Sequence, residues 1–170
     1  PLTIGSRTLE ASEGPFLMGV LNLTPDSFSD GGRFCDPTAA VAQARQLVAD
    51  GADLIDVGGE STRPGSQRVS ASVEIDRVLP VIRALHAEGI GPISIDTYKA
   101  EVAEAALGAG AQMVNDISGL TFDAQLGQVA ARHRCPLVLM HTRGDPEEMQ
   151  KGQIEYPDVV AEVCQALLQA

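Results

Sequence analysis

Short apolar runs alternate five times with stretches of helical periodicity along this chain. Runs such as Leu137 to Met140 are too short for a helix and suit a strand that is buried in a sheet. Each pair of apolar run and helical stretch takes about 30 residues, which is the length of a right-handed βαβ unit. The alternation therefore predicts a parallel sheet covered by helices.

Five strands and five helices follow from this pattern. Before them, Gly5-Ser6 between two short alternating runs indicates a small hairpin, and the alternative is a frayed N-terminus. The strands are predicted at Phe16 to Leu21, Leu54 to Val57, Ile93 to Asp96, Met113 to Val114 and Leu137 to Met140, the first of them buried on both faces. Helix one begins at Asp36-Pro37 and closes at Gly51, and Gly108 and Gly110 stop helix three. Helix two is expected to bury Val73, Val78, Leu79, Ile82 and Leu85 and to expose Glu74, Asp76, Arg77 and Arg83, and helix five is expected to bury Val159, Val160, Val163, Leu167 and Leu168.

A doubly wound sheet and a (β/α)8 TIM barrel both fit the alternation. Neither GxGxxG nor GxxxxGK[ST] occurs in the chain, although these turns mark the nucleotide-binding doubly wound sheets. Instead every predicted strand ends in polar residues, and sites assembled from several successive strand ends are typical of the barrel. We therefore expect one parallel (β/α)8 barrel domain over residues 1–170, covering about the first five βα units. Because a whole barrel needs roughly 250 residues, we expect the chain to be truncated at its C-terminus.

The composition limits the function classes that fit. The 170 residues are 44% hydrophobic and carry a net charge of -11. This charge argues against a binder of nucleic acid or of membrane surfaces, because no basic patch is available. Three cysteines without a CxxC pair indicate neither a disulfide framework nor a zinc site. No charged leader precedes an apolar run, and no run approaches the roughly 20 residues that cross a bilayer, so the sequence predicts a soluble, cytoplasmic protein.

The polar residues at the strand ends are the candidates for a site. Arg63 follows a glycine pair in LIDVGGESTRPG, where backbone N–H groups and a guanidinium could converge on a phosphate. The alternative is a surface arginine paired to Glu60. The whole set of candidates is Asn22, Asp56, Glu60, Arg63, Asp96, Asn115, Asp116, His141 and Arg143.

Asp96 and Asn115 each end an apolar strand, where a carboxylate or an amide is costly without a hydrogen-bonding partner. A carboxylate accepts two parallel N–H bonds and an amide both donates and accepts, so the pair could read the edge of a flat nitrogen heterocycle. Alternatively, both residues cap the following helices or tie loops together. Asn22 could ligate a hard cation beside a phosphate or brace the next loop. His86 and His133 are expected to face solvent.

The loops together form a distinctive series: NLTPDSFSDGG, DVGGESTRPG, SIDTYK, NDISG and LMHTRGDPEEMQ, in that order and at βα spacing. The series closely resembles bacterial dihydropteroate synthase, the folate-pathway enzyme of the pterin-binding barrel superfamily. The resemblance runs from about Phe16 to the end of the chain. The first two motifs are long enough to make it specific.

This resemblance implies a barrel that joins 7,8-dihydropterin pyrophosphate to p-aminobenzoate, releases pyrophosphate, uses Mg²⁺ and is the target of sulfonamides. By position in the motifs, Asn22 resembles the residue near the metal and Arg63 the arginine that meets the pyrophosphate. Asp96 and Asn115 resemble the residues that bind the pterin, at the ends of the third and fourth strands. The remaining residues expected at the substrates are Asp56 and, around p-aminobenzoate, Phe28, Ser61, Thr62 and Pro64.

Two other functions stay open. Another pterin-binding barrel, such as a methyltetrahydrofolate-corrinoid methyltransferase, would share Asp96 and Asn115 but has no use for a loop that grips pyrophosphate. The other is a fragment that only binds pterin or pairs with a longer subunit. The resemblance implies a homodimer for the full-length protein, and further pterin and phosphate residues on later strands. We therefore expect the 170-residue polypeptide alone to have little or no synthase activity.

Overall fold

The protein is described by a computed structural model, which covers residues 1–10, 12, 14–24, 36–61, 68–142 and 156–170. Seven strands and five helices lie in these ranges. In chain order they are β1 (Leu2–Ile4), β2 (Arg7–Leu9), β3 (Met18–Asn22), α1 (Pro37–Ala49), β4 (Leu54–Gly58), α2 (Ala71–Ala87), β5 (Ile93–Asp96), α3 (Ala100–Ala109), β6 (Met113–Asp116), α4 (Gln125–His133), β7 (Leu137–Leu139) and α5 (Val159–Gln169).

The strands form two sheets. The predicted hairpin is present, with β1 and β2 antiparallel and Leu2 opposite Leu9. The other five strands are parallel and lie in the order β3-β4-β5-β6-β7. A doubly wound sheet reverses its strand order at a switch point, whereas a barrel adds each strand beside the previous one. The consecutive order confirms the prediction of five successive βα units of a (β/α)8 barrel.

The two faces of the five-stranded sheet differ in what covers them. Leu21, Ile55 and Ile95 point to one face and are fully buried with apolar residues of α1 to α4. The opposite face, here called the inner face, carries Val20 and Asp56, which are paired in the register of β3 and β4. Val20 is 52% exposed, so the prediction that the first strand is buried on both faces was wrong. The inner face of β3 is open to solvent.

The hairpin closes the amino-terminal end of the inner face. Ile4 and Leu9 form a small apolar cluster with Leu54 of β4, Met113 of β6 and Phe16. Arg7 reinforces the position through Asp53, whose carboxylate oxygen lies 2.7 Å from the guanidinium. The polar strand ends lie at the other end of the strands, away from this plug.

Several predicted boundaries and faces need correction. β3 begins at Met18 and includes Asn22, β4 and β6 run on to Gly58 and Asp116, and β7 ends at Leu139. α3 continues through Gly108 and ends at Ala109, because only Gly110, with φ of 121°, adopts the conformation that stops it. No described residue of α5 is buried. Of its predicted inner face, Val163 is partly buried and the other four residues are exposed.

The inner face of α2 is rotated relative to the prediction. Val73 is 39% exposed, whereas Glu74 is 1% exposed. Glu74 can be buried because it meets a lysine, which is described below. Within the described part of the chain, no helix is long and apolar enough to cross a membrane.

Candidate active site

Four residues form a row across the carboxyl ends of the strands. Asn22 of β3 is in register with Gly58 of β4, Gly58 with Asp96 of β5, and Asp96 with Asn115 of β6. Residues in register on neighbouring parallel strands point to the same face, about 4.8 Å apart. The sequence predicted three of these side chains separately, and the register joins them on the inner face.

Gly58 leaves a gap in this row. A Cβ atom added to Gly58 would lie 3.4 Å from Asp96 Oδ2 and 3.6 Å from Asn22 Oδ1. The space beside Gly58 is therefore in van der Waals contact with both a carboxylate oxygen and an amide oxygen. Glycine at this position keeps both oxygens accessible to a ligand.

Asp56 lies on the same face, one step deeper along β4. It is 3% exposed, and its Oδ2 accepts a hydrogen bond of 2.9 Å from Asn115 Nδ2. Asp96 Oδ1 is buried and has no hydrogen-bonding partner among the described residues. Asp56 Oδ1 is also buried, and the Ser94 hydroxyl of β5, in register with Asp56, is the one polar side chain beside Asp56 apart from Asn115 that lowers its pKa. Buried carboxylate oxygens are seldom left unpaired in native proteins, so Asp96 suits a ligand that presents N–H donors.

The electrostatics of the site follow from crowded carboxylates. Burial and, after it, the charges of Asp56, Glu74, Asp116 and Glu60 together raise the pKa of Asp96 to about 7. Burial also raises the pKa of Asp56, although its hydrogen bonds, including the one from Asn115, lower it in part. A ligand with N–H donors or developing positive charge would relieve both effects.

Among the described residues, neither Asp96 nor Asn115 caps the helix that follows it, and the Asn115 side chain instead joins β6 to β4 through Asp56. The first turn of α3 is capped from elsewhere, because Ala100 N–H donates to Asp123 Oδ2 at 2.9 Å. The bracing role belongs to Asp116, whose two carboxylate oxygens accept from the N–H groups of Ser118 and Leu120, each at 2.7 Å. Asp116 was a site candidate in the sequence, and its geometry is that of a loop brace.

Some predicted site residues fall outside the described ranges: Phe28, Thr62, Arg63, Pro64 and Arg143. Of the others, Ser61 is partly buried next to Glu60, and Asn22 is exposed at the end of β3. His141 follows β7, and its buried Nε2 atom has no partner in the described part of the chain. His86 and His133 lie on the exposed side of their helices, as predicted.

Sequence reasoning missed a buried ionic cluster beside the row. It consists of Glu60, Glu74, Tyr98 and Lys99 and is called the Lys99 cluster below. Lys99 Nζ lies 2.6 Å from Glu60 Oε2 and 2.5 Å from Glu74 Oε2, and the Tyr98 hydroxyl donates to Glu60 Oε1 at 2.6 Å. The signal was present in SIDTYK, where a tyrosine and a lysine follow Asp96 directly after a buried strand.

Five consecutive βα units with polar residues at the strand ends define a barrel protein whose site lies at the carboxyl-terminal face. Residues 18–170 match the family described as pterin binding enzyme. The chain belongs to that family.

Three relatives of this chain are dihydropteroate synthases. The dihydropteroate synthase of Synechocystis sp. is 50% identical over 165 residues, which are 97% of this chain and 57% of that protein. The structure of Yersinia pestis dihydropteroate synthase in a sulfonamide drug complex superposes with a TM-score of 0.88 at 41% identity, covering 99% of this chain and 60% of that one. The Xanthomonas albilineans enzyme in complex with 7,8-dihydropteroate gives a TM-score of 0.80 at 41% identity, covering 99% and 57%. This chain thus spans little more than half the length of these relatives.

Proposed function

We propose that this chain provides the pterin-binding half of a dihydropteroate synthase, which condenses 7,8-dihydropterin pyrophosphate with p-aminobenzoate to give 7,8-dihydropteroate and pyrophosphate. The observation that carries the proposal is the row of Asn22, Gly58, Asp96 and Asn115, with an unpaired buried carboxylate oxygen on Asp96. Relatives that bear this name and share up to 50% identity support it.

The pterin is the substrate that the described residues suit best. A pterin edge presents several N–H groups in one plane, and Asp96, with Asp56 beside it on the inner face, offers a buried oxygen that needs a donor. The reaction breaks a methylene C–O bond, so positive charge develops on the pterin. The Asp96 carboxylate beside the ring would stabilise that charge, provided that it is ionised.

The departing pyrophosphate needs cationic partners, and we assign Arg63 to it from its motif. No group of three histidine, cysteine, aspartate or glutamate side chains in the described ranges is arranged to hold a metal. Mg²⁺, however, commonly binds through one or two protein oxygens together with substrate phosphates and waters. The Asn22 side chain is exposed and lies across Gly58 from Asp96, so its oxygen fits that mode. Bound Mg²⁺ would neutralise charge on the leaving pyrophosphate.

The arylamine of p-aminobenzoate is neutral at pH 7, so its attack needs positioning more than a strong base. We assign its pocket to Phe28, Ser61, Thr62 and Pro64, where sulfonamides would compete. The Yersinia pestis relative was crystallised in a sulfonamide complex, which supports this assignment. A homodimer and a cytoplasmic location remain predictions from the sequence.

Calorimetric titration tests the pterin assignment. Dihydropterin pyrophosphate should bind when it is titrated, with Mg²⁺, into the protein as the cell produces it. Asp96→Ala should abolish this binding because a buried acceptor is lost. Asp76→Ala, which removes an exposed carboxylate of α2, is the matched control and should bind normally. Unchanged affinity in Asp96→Ala would show that the pterin assignment is wrong.

A second titration tests the role of Arg63. In a synthase site, p-aminobenzoate enters only when pyrophosphate is present, because the anion completes its pocket. Binding of the amine that ignores pyrophosphate would contradict that role. The same experiment separates this function from a methyltransferase barrel, which has no pyrophosphate requirement.

We also propose that a polypeptide of these 170 residues alone has little or no synthase activity. The described parallel strands are five of the eight that close a barrel, so they form only part of the wall around its interior. Full turnover by the purified 170-residue chain would overturn this expectation.

A further inference from the structure

Glu60 joins two points of the chain that lie nine residues apart in sequence. It follows β4 by two residues, and its Oε2 accepts a hydrogen bond of 2.9 Å from the backbone N–H of Val69. The same carboxylate accepts from Tyr98 through Oε1 and from Lys99 through Oε2, each at 2.6 Å. One carboxylate therefore ties together the end of β4, the approach to α2 and the turn after β5.

Other contacts hold the neighbouring residues on both sides. Gly59 O, just before Glu60, accepts from Arg77 Nη1 of α2 at 2.7 Å. Arg68, just before Val69, lies with its guanidinium carbon 4.9 Å from the centre of the Phe122 ring. That ring in turn meets the Tyr98 ring edge-on, with centroids 5.2 Å apart. The chain is thus anchored by independent contacts just before residue 61 and just after residue 67.

The surroundings of Glu60 favour the ionised form of its side chain. Burial raises the pKa of Glu60, but Lys99, Tyr98 and the Val69 N–H outweigh it and leave the pKa below the ordinary value. The side chain of Lys99 is only 16% exposed, and the side chain of Glu74, its second partner, is 1% exposed. Removing one partner of such a pair leaves an uncompensated charge in a poorly solvated place, so the contacts are strongly coupled.

We propose that Glu60, held by Tyr98 and Lys99, is a positioning residue for the amine substrate. Its carboxylate sets the separation of the two chain ends between which Thr62, Arg63 and Pro64 stand in sequence. This inference rests on the proposed function, which assigns those three residues to pyrophosphate and p-aminobenzoate. The pterin row on β3 to β6 is built from other residues and does not depend on Glu60 for its hydrogen bonds.

Amide hydrogen exchange tests the anchoring without any substrate. In Glu60→Gln, exchange of the Val69 N–H should become about tenfold faster or more, because its acceptor loses the charge that strengthens the hydrogen bond. In Lys99→Met the exchange should also become faster, because Glu60 loses the cation that holds it in place. Amides in the core of α3 should keep their wild-type rates. Glu104→Gln, which removes a carboxylate charge from the surface pair with Arg132, is the matched control and should change neither.

Steady-state kinetics and pterin titrations on the protein as the cell produces it test the positioning role. Glu60→Gln and Lys99→Met should raise KM for p-aminobenzoate about tenfold. Both variants should leave the affinity for a dihydropterin that lacks the pyrophosphate within about twofold. Lys99→Arg, which keeps the charge, should recover most of the loss. Tyr98→Phe removes a single hydrogen bond and should give a smaller effect in the same direction.

Three results would overturn the proposal. One is unchanged exchange at Val69 in both variants, and another is faster exchange with an unchanged KM for the amine. The third is an equal loss of pterin and amine affinity, since that would show a general structural role. If the wild-type protein bound no dihydropterin pyrophosphate, the proposed function would fail, whereas the exchange result would still decide whether Glu60 anchors Val69.

Discussion

At the scale of single residues, Asp96 shows how burial and like charge set the chemistry of the inner face. An aspartate in water loses its proton near pH 4, whereas burial and neighbouring carboxylates raise the pKa of Asp96 to about 7. A pterin is best held by the ionised form, which accepts two N–H bonds. Binding should therefore strengthen as pH rises through about 7 and level off above it, because the ligand selects the ionised form.

The same shift predicts a cost to folding. Between about pH 4 and about pH 7 the folded protein keeps a proton on Asp96 that the unfolded chain has lost. Since the folded state binds more protons in that window, the contribution of Asp96 to stability falls as pH rises and stays low above pH 7. Asp96→Asn should therefore raise the free energy of unfolding at pH 8 by a few kcal/mol and change it little at pH 4.5.

Urea denaturation at the two pH values measures this difference, with Asp76→Asn as the exposed control. An equal gain at pH 4.5 and pH 8 would mean that the proton on Asp96 is not the cause. The variant should also fail to bind the pterin, so stability and function are expected to move in opposite directions at this position.

Gly58 and Gly59 are adjacent, but an added side chain would have different neighbours at the two positions. A Cβ on Gly58 would meet its nearest atom, Asp96 Oδ2, at an ordinary 3.4 Å, whereas a Cβ on Gly59 would meet Val78 Cγ1 at 2.8 Å and Glu74 Cγ at 2.9 Å. Gly58→Ala should fold with stability close to wild type but lose ligand affinity, because the added methyl group fills the gap in the row. Gly59→Ala should lose about 1–3 kcal/mol through overpacking against α2.

Denaturation and pterin titration of both variants separate the two effects. The expectation would be contradicted if Gly58→Ala bound the pterin normally, or if both variants lost the same amount of stability.

At the scale of elements, the loop from β6 to α4 is organised by Asp116 and Gly119. Asp116 is fully buried and folds the loop back by accepting two backbone N–H groups. Its backbone carbonyl accepts from Met140 N–H at 3.0 Å, which joins the loop to the end of β7. Gly119, with φ of 57°, then passes so close to β7 that a Cβ would lie 2.8 Å from Met140 O.

Gly119→Ala should therefore destabilise the protein by roughly 1–3 kcal/mol, because it combines a left-handed backbone with a contact against a carbonyl group that cannot rotate away. Thermal or urea unfolding measures the loss. Gly108→Ala is a suitable control, since an added Cβ on Gly108 meets nothing within 4 Å and alanine favours the helix. A loss in Gly119→Ala no larger than in the control would refute the steric argument.

At the scale of the whole molecule, the five-stranded unit has one covered face and one largely open face. Val20 and Val138 on the inner face are 52% and 38% exposed, and Val160 and Leu168 of α5 are 68% and 87% exposed. Large apolar side chains exposed on the surface favour association. The net charge of -11 opposes it at low salt but is screened as ionic strength rises.

A polypeptide restricted to these 170 residues should consequently self-associate, and more so at high salt. Replacing both Val160 and Leu168 with lysine should reduce the association, because it removes apolar area from α5. Sedimentation velocity at low and high salt measures the effect, and Gln128→Lys, an exposed change on α4, is the control for added positive charge. A monomer at both salt concentrations would contradict the expectation.

The fold was predictable from the sequence to the extent that its signals are local. Hydrophobic periodicity, Asp36-Pro37 at the start of α1 and the polar residues after each strand depend on neighbours within a few positions. They identified the element order, the parallel sheet and the barrel class. Errors such as the exposed Val73 and the buried Glu74 arose because the inner face of α2 depends on Lys99, which is 25 residues away from Glu74.

The sequence by itself therefore determined which polar residues lie at the strand ends, because Asn22, Asp56, Asp96 and Asn115 each stand in or directly after a short apolar run. Only the tertiary structure decided that three of them stand in one row with Gly58, that Asn115 donates to Asp56, and that Asp116 braces a loop. The physical reason is that strand register and burial are set by contacts between distant segments. The raised pKa of Asp96 is a property of that arrangement, because burial and then four carboxylates from separate parts of the chain act on it together.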